Sequence, residues 1–238
     1  MKGMLRWLGG SLAVTLGWLV QVQEVRANAG TGWTYPFNGT AAWGTGPRCA
    51  PTLLGSNLII TTTTSGSYNQ GAILLKEAFN PSGVGLCVPV YEFGAIANDG
   101  SFPVGQSVMV GSTMYGITHY GGTASQGTIY TLNTNTWVET PVHHFTGGAT
   151  NGANPEGSLV LSGSTLYGMT YFGGVANAGT IFSYKTGLIL AGQSRFTLLH
   201  SFAGGTSDGQ SLQPALGVGF QALWHDLFWG YEQRRRLV

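Results

Sequence analysis

A repeated glycine hairpin constrains the fold of this chain more than any other feature. Residues 159–184, LVLSGSTLYGMTYFGGVANAGTIFSY, place runs of β-branched and aromatic residues on either side of a Gly-Gly pair. Such runs favour strands, and the glycines between them allow the chain to reverse. The pattern predicts two antiparallel strands, over 164–171 and 180–184, joined by a glycine-rich turn.

The hairpin recurs along the chain at a nearly constant interval. VMVGSTMYGITHYGGTASQGTIYTL at 108–132 repeats it, and LLGSNLIITTTTSGSYNQGAILL at 53–75 is a degenerate copy. The glycines that open the copies, at positions 55, 111 and 163, are 56 and 52 residues apart. Structural roles in tight turns are predicted for the glycines shared by the two better copies: Gly121, Gly122, Gly127, Gly173, Gly174 and Gly179.

The length of the repeat indicates its architecture, because an interval of about 50 residues is typical of propeller blades such as those of kelch arrays. In the second copy, strands are predicted over 107–110, 113–120, 128–132 and 137–145. Four short antiparallel strands per repeat make a blade. A right-handed β-solenoid is the alternative, although its coils are usually shorter. The sequence therefore predicts an all-β, incomplete propeller-like array over 30–219, with about three four-stranded blades and part of a fourth.

Two segments of the repeat resemble a known family. LYGMTYFGGVANAGTIF at 166–182, followed by LLHSFAGGTSDGQSLQP at 198–214, is similar to the GloVer tandem repeat. That repeat occurs in secreted bacterial proteins described as having a choice of C-terminal anchors. The resemblance covers residues 37–219. It implies a secreted, propeller-like repeat protein of unassigned biochemical role, and it supplies no catalytic residues.

The N-terminus has the composition of a secretory signal peptide. Lys2 and Arg6 precede an apolar run over 7–20, and Ala27-Asn28-Ala29 is a small-residue cleavage site. The run is shorter than the roughly 20 residues that span a bilayer, and an uncleaved anchor is the alternative. We predict a signal peptide over 1–29, no stable membrane span after cleavage, and secretion or display at the bacterial cell surface.

Charge and motifs restrict the classes of function. Charged residues make up 8% of the chain, with 10 basic against 9 acidic side chains, so no basic patch is available for nucleic acid. The chain contains no phosphate loop, nucleophile elbow or zincin helix, and its carboxylates show no pairing that the sequence reveals. We predict no catalytic residue, no cofactor and no metal ion.

Cys49 and Cys87 are the only cysteines of the chain. In an exported protein they could form a disulfide within the first repeat, or they could remain as two buried thiols. The disulfide is the favoured interpretation because it would brace the degenerate copy.

The histidines of the repeats indicate packing rather than catalysis. His143 and His200 occupy one repeat position, two residues before Phe145 and Phe202, and Tyr91 occupies it in the first copy. A position that accepts either tyrosine or histidine is typical of a half-buried aromatic residue in a strand.

Exposed aromatic rings on a β-scaffold suit stacking against sugars, whereas buried ones fill the cores between blades. The candidates for ligand stacking are Trp43, Tyr120, Trp137 and Tyr171.

We predict an exported, non-catalytic repeat protein that acts as a structural or interaction module. A glycan-binding propeller is the first alternative, and a carbohydrate-active hydrolase or lyase is the second. The partner is unknown, with surface polysaccharide and protein as the candidates.

The repeat pattern stops after Gly219. The segment 220–238, FQALWHDLFWGYEQRRRLV, has neither the Gly-Gly pair nor strand alternation. Translation of the codons for 222–230 one base later can give Leu-Tyr-Gly-Met-Thr-Tyr-Phe-Gly-Gly, which the repeat interval requires at this place. We hypothesise that the segment is an out-of-frame translation of a further repeat. A basic C-terminal helix is the alternative.

Overall fold

The computed structural model describes residues 45–64, 66–77 and 87–208, which form three antiparallel β-sheets in chain order. The predictions for the signal peptide, for Trp43 and for the segment after Gly219 fall outside the described residues.

The first sheet comprises β1 Thr45–Pro47, β2 Thr52–Leu54, β3 Asn57–Thr64, β4 Ala72–Lys76 and β5 Cys87–Glu92. The second comprises β6 Gly100–Val110, β7 Thr113–Gly121, β8 Thr128–Asn133 and β9 Glu139–His144. The third comprises β10 Gly152–Ser162, β11 Thr165–Gly173, β12 Thr180–Lys185 and β13 Phe196–Ser201, followed by the short helix α1 Gly205–Asp208.

All three sheets share one pairing pattern. The second and third sheets have the orders β6-β7-β8-β9 and β10-β11-β12-β13. In the first sheet β1 and β2 pair with opposite ends of β3, and together they take the place of the single long strand β6 or β10. The same proline–threonine pair occurs in every sheet: Pro47–Thr62, Pro103–Thr118 and Pro155–Thr170. Equivalent strand pairings therefore recur at the same interval as the sequence repeat.

The prediction of four strands per repeat is confirmed, but the first strand is longer than predicted. It is predicted over 107–110, whereas β6 begins at Gly100. Pro103 is compatible with the strand because β6 lies at the edge of its sheet, where a missing N–H removes no ladder bond. A bulge between Val104 and Val108 divides β6 into two parts, and the predicted strand over 107–110 corresponds to the second part.

The buried contacts of the repeated motif explain its residue types. In the third sheet Thr170 is fully buried, and its Oγ1 lies 2.7 Å from Oγ1 of Thr180 on the neighbouring strand. Gly168 leaves room for the ring of Phe182, which any Cβ at this position would overlap. The equivalent residues of the second sheet make the same contacts.

The predicted glycine turns are confirmed, because equivalent glycines have nearly equal backbone angles. The φ angles are 81°, 77° and 98° for Gly121, Gly122 and Gly127, and 87°, 79° and 98° for Gly173, Gly174 and Gly179. These values lie in the region that favours glycine over residues with a Cβ atom.

Apolar side chains fill the spaces between successive sheets. The cluster between the first and second sheets consists of Ile59, Ile73, Phe93, Met114, Tyr130 and Leu132. The cluster between the second and third sheets consists of Val104, Tyr115, Ile117, Ile129, Phe145, Leu159, Leu166, Phe182 and Tyr184. Each sheet thus buries one apolar face against the next, and such burial is the main favourable contribution to folding.

The sheets also approach closely at one glycine per repeat. At Gly127, with φ of +98°, a Cβ atom would lie 2.5 Å from Cδ of Pro155 and closer still to the carbonyl oxygen of Thr118. Gly71 stands in the same relation to Pro103 of the second sheet, also at 2.5 Å. A backbone hydrogen bond of 2.7 Å between the sheets accompanies each contact: Asn154 N–H to Gln126 O, and Phe102 N–H to Gln70 O.

The predicted disulfide between Cys49 and Cys87 is corrected by the structure, in which both thiols are free. Sγ of Cys49 lies 3.5 Å from Oγ1 of Thr61 in β3, whereas Cys87 begins β5 at the far edge of the same sheet. Strands β3 and β4 lie between them. Since neighbouring strands are about 4.8 Å apart, the separation far exceeds the Cα–Cα distance of about 7 Å that a disulfide tolerates.

We expect purified protein to carry both cysteines as thiols even without reductant. Alkylation with iodoacetamide in denaturant should modify both residues, with or without prior reduction, as measured by intact mass. Burial raises the pKa of both thiols, so the folded protein should react more slowly than the denatured protein. Alkylation only after reduction would show that the bridge forms.

Candidate functional site

The titratable residues at the repeated His/Tyr position bind the turn that follows them. The Tyr91 hydroxyl donates to Oδ2 of Asp99 at 2.8 Å, eight residues along the chain. The same spacing joins His143 Nε2 to Asn151 Oδ1 at 3.3 Å and His200 Nε2 to Asp208 Oδ1 at 3.1 Å. The prediction of a structural role for this position agrees with these contacts.

The aspartates of these pairs also hold the backbone of the loop. Asp99 Oδ2 accepts a hydrogen bond from the N–H of Gly94, and Asp208 Oδ2 accepts one from the N–H of Ala203, both at 2.7 Å. The bond from Ala203, followed by the charge and hydrogen bond of His200, holds the pKa of Asp208 below its usual value. The carboxylate of Asp99 therefore stabilises the turn before β6, and the carboxylate of Asp208 stabilises the loop that follows β13.

A buried carboxyl cluster lies between the first and second sheets. Glu139 begins β9 and is 6% exposed, at a position that Cys87 and Phe196 occupy in the other sheets. Burial, and then the charge of Asp99, raise the pKa of Glu139 to about 8, while the nearby hydroxyl of Tyr91 acts in the opposite direction. Within the described residues, neither oxygen of Glu139 has a well-aligned hydrogen bond. A neutral carboxylic acid is the form that suits this environment.

This cluster is poorly placed for hydrolysis of a polysaccharide. A glycosidase needs two carboxyl groups that flank a bound sugar. Asp99 and Glu139 are each 6% exposed, and the aromatic residues Tyr91 and Tyr130 lie around them. A sugar chain would reach the two carboxyls only if the first and second sheets separated.

The histidines of the second sheet contact the third sheet. The ring of His143 stacks on Phe196, with centroids 4.0 Å apart and an interplanar angle of 7°, and burial lowers its pKa to about 4. His119 Nδ1 lies 2.7 Å from Oε2 of Glu156, at ion-pair distance but without hydrogen-bond alignment. Both contacts join neighbouring repeats.

The aromatic residues predicted to stack against a ligand occupy different environments. Tyr120 is 46% exposed, so part of its surface is open to solvent. Trp137 packs, partly buried, against the apolar cluster between the first and second sheets, so the structure assigns it to the core. Tyr171 is half-buried with its ring edge-on to Phe172, whose own ring is 43% exposed.

Phe172 forms one wall of an open groove between the second and third sheets. The groove has a volume of about 420 Å³. Its lining carries no charged side chain and consists of Gln126, Thr146, Gly147, Ala153, Asn154, Phe172 and Asn177. The depression therefore brings together an exposed aromatic ring and three residues with amide side chains, of which Asn154 is only 7% exposed.

One of the residues that line the groove differs in kind from its equivalent in the preceding repeat. Asn154 occupies the position that Phe102 occupies one repeat earlier, and the two residues have similar φ angles of +54° and +55°. In the second sheet, the ring of Phe102 packs edge-on against Tyr120 with centroids 5.5 Å apart. Asn154 is too small to contact the equivalent Phe172 in this way, although Tyr120 and Phe172 are similarly exposed, at 46% and 43%.

Comparison with known families agrees with the repeat architecture. A model of the Gloeobacter/Verrucomicrobia repeat matches residues 11–233, which is most of the chain. The chain belongs to this repeat family. The resemblance to GloVer repeats is thereby confirmed, and no curated protein matches the chain.

Two further features of this Gloeobacter/Verrucomicrobia repeat protein concern only the residues that the structure describes. Within residues 45–64, 66–77 and 87–208, the helical structure is too short to cross a membrane. In the same residues, no three His, Cys, Asp or Glu side chains lie together as metal ligands would. Sequence reasoning did not identify two residues that line the groove, Phe172 and Asn154. Superposition of the repeats would have revealed Asn154, because it replaces an aromatic residue.

Proposed function

We propose that this chain is an exported, non-catalytic interaction module whose sheets are blades of a propeller-like array. The observation that carries the proposal is the repeated pair formed by Tyr91 with Asp99, by His143 with Asn151, and by His200 with Asp208. These pairs hold titratable side chains in the turns of the repeat, whereas aromatic and amide side chains remain open to solvent. Such a distribution suits binding better than acid–base chemistry.

The packing of the sheets supports the assignment to blades. Propeller blades are four-stranded antiparallel meanders that pack face to face around an axis. Here each sheet buries an apolar face against the next, and the backbones of the bulges approach so closely that a Cβ at Gly105 would overlap Gly157. The first strands of neighbouring sheets are therefore adjacent, as innermost propeller strands are.

Export is supported by the N-terminal residues and by the low charge of the chain. The sequence of 1–29 has the basic start, apolar run and small-residue cleavage site of a signal peptide. Secretion or display at the cell surface follows as part of the proposal, and the partner would be a polysaccharide or protein met outside the cytoplasm.

Expression in a bacterial host and incubation of the exported protein with envelope fractions test this function. We expect intact mass to give a mature chain that begins at Gly30. The protein should sediment with insoluble polysaccharide or protein fractions and release no new reducing ends. Release of saccharide that is lost in both Asp99→Asn and Glu139→Gln, but kept in the exposed Glu77→Gln, would overturn the non-catalytic role. Absence of the protein from every fraction would overturn the interaction role.

A further inference from the structure

We propose that the groove between the second and third sheets binds a neutral saccharide, an assignment that rests on the interaction role above. The groove is defined by Phe172 on one side and by Gln126, Asn154 and Asn177 around it. A sugar ring has an apolar C–H face and a rim of hydroxyl groups. The groove offers a complementary surface to each.

The ring of Phe172 supplies the stacking surface. It is 43% exposed, and its orientation is maintained by the edge-on ring of Tyr171 at 4.5 Å. The carbonyl of Phe172 accepts a hydrogen bond of 2.8 Å from the buried hydroxyl of Thr170, which anchors the backbone. The face of an aromatic ring is electron-rich, so it attracts the weakly positive C–H groups of a sugar.

Two asparagines present complementary hydrogen-bonding groups. Oδ1 of Asn177 accepts the N–H of Gly173 at 2.8 Å, which leaves its Nδ2 to donate. Nδ2 of Asn154 donates to the carbonyl of His119 at 3.0 Å, which leaves its Oδ1 to accept. Hydroxyl groups donate and accept at once, so a sugar can satisfy both amides. The existing hydrogen bonds orient the amides before a ligand arrives, which lowers the entropy cost of binding.

The charge and size of the groove limit the ligand class. None of the seven lining residues is ionisable, so an acidic sugar would find no cationic partner here. Neither His119 nor Glu156, which approach each other to 2.7 Å between the second and third sheets, belongs to this lining. A volume of about 420 Å³ lies within the usual range of roughly 300–1,000 Å³ for small-ligand sites. The ligand is therefore a short segment of a neutral glycan.

The repeats themselves provide a variant that places an aromatic ring in the groove. Asn154→Phe installs the residue that Phe102 provides one repeat earlier, at the same backbone angle. We expect the new ring to pack edge-on against Phe172, as Phe102 packs against Tyr120. The fold should be retained because the repeat already accommodates this arrangement.

Titration calorimetry and saturation-transfer NMR with cellotetraose, maltotetraose, xylotetraose and mannotetraose test the proposal. We expect the mature protein to bind at least one of these neutral tetrasaccharides. Asn154→Phe and Phe172→Ala should each weaken the affinity by about tenfold or more, the loss that corresponds to about 1.4 kcal/mol. Tyr68→Ala is the control, since it removes an exposed aromatic ring from the turn between β3 and β4, outside the lining of the groove, and its affinity should stay within about twofold of wild type. Thermal unfolding followed by circular dichroism confirms that each variant is folded.

Three results would overturn the groove assignment. These are no binding of any neutral tetrasaccharide, equal affinity in Asn154→Phe, or stronger binding of tetragalacturonate than of the neutral ligands. Binding of the protein to envelope fractions distinguishes failure of the groove assignment from failure of the proposed function. If wild type and Asn154→Phe are retained equally, the interaction role stands and the groove is not its site. If wild type is not retained and no saccharide binds, both proposals fail.

Discussion

Replacement of Gly127 by alanine should destabilise the protein by about 4 kcal/mol or prevent it from folding. The φ angle of +98° is strained for any residue with a Cβ atom. The added methyl group would also lie 2.5 Å from Cδ of Pro155, and closer to the carbonyl oxygen of Thr118. Neither neighbour can move alone, because one belongs to a strand of the second sheet and the other to the third sheet. Urea unfolding followed by circular dichroism measures the loss.

Gly111→Ala is the matched control for this substitution. Gly111 also has a positive φ, of +62°, but a Cβ atom there would meet nothing within 4 Å. We expect a loss of about 1 kcal/mol from backbone strain alone. Similar losses for Gly111→Ala and Gly127→Ala would show that the contact between the second and third sheets contributes little. A larger loss of stability for Gly127→Ala would support the close contact at Gly127 as a determinant of how the second and third sheets pack.

Glu139→Gln should make the protein about 3 kcal/mol more stable than wild type at pH 8 to 9. In the unfolded chain this carboxyl titrates near its model value of 4.5, whereas in the folded protein its pKa is about 8. Between these values the folded state holds a proton that the unfolded state has lost. Because the folded state binds more protons, the free energy of unfolding of wild type falls as pH rises from about 4.5 to about 8. Glutamine keeps the shape of the neutral acid and removes this dependence.

Urea unfolding at closely spaced pH values between 6.5 and 9 measures this effect. Glu77→Gln is the control, because Glu77 is exposed and the variant should follow wild type at every pH. His143 contributes on the acid side with the opposite sign. Its pKa is lowered from 6.5 to about 4, so protonation of the unfolded state destabilises the protein as pH falls through this interval. Parallel curves for wild type and Glu139→Gln above pH 6.5 would contradict a neutral buried Glu139.

The repeat could be predicted because its signals are local. Glycine turns, strand propensity and the spacing of landmarks depend on neighbours in the sequence, and they placed the hairpins of all three sheets. The start of β6 was missed because Gly100 and Pro103 resemble turn residues. An edge strand tolerates both, and only the pairing of strands shows which strand is at the edge.

The cysteines and Glu139 could not be placed by local reasoning. Cys49 and Cys87 belong to one repeat, but two strands of the first sheet separate them. Glu139 has no acidic neighbour in the sequence that identifies it, and its partners Tyr91 and Asp99 come from the preceding repeat. Both results depend on how strands and sheets are arranged in space, which composition and spacing do not encode.

The sequence by itself determined the repeat, its interval, its four strands and the glycines of its turns, because these depend on backbone preferences within a few residues. Only the tertiary structure decided which faces meet, and through them the burial of Glu139 and the separation of the thiols. It also decided that Asn154, which stands where the preceding repeat has Phe102, lines a groove beside Phe172. The physical reason is that burial, pKa and accessible surface are properties of two sheets in contact. A single repeat does not possess them.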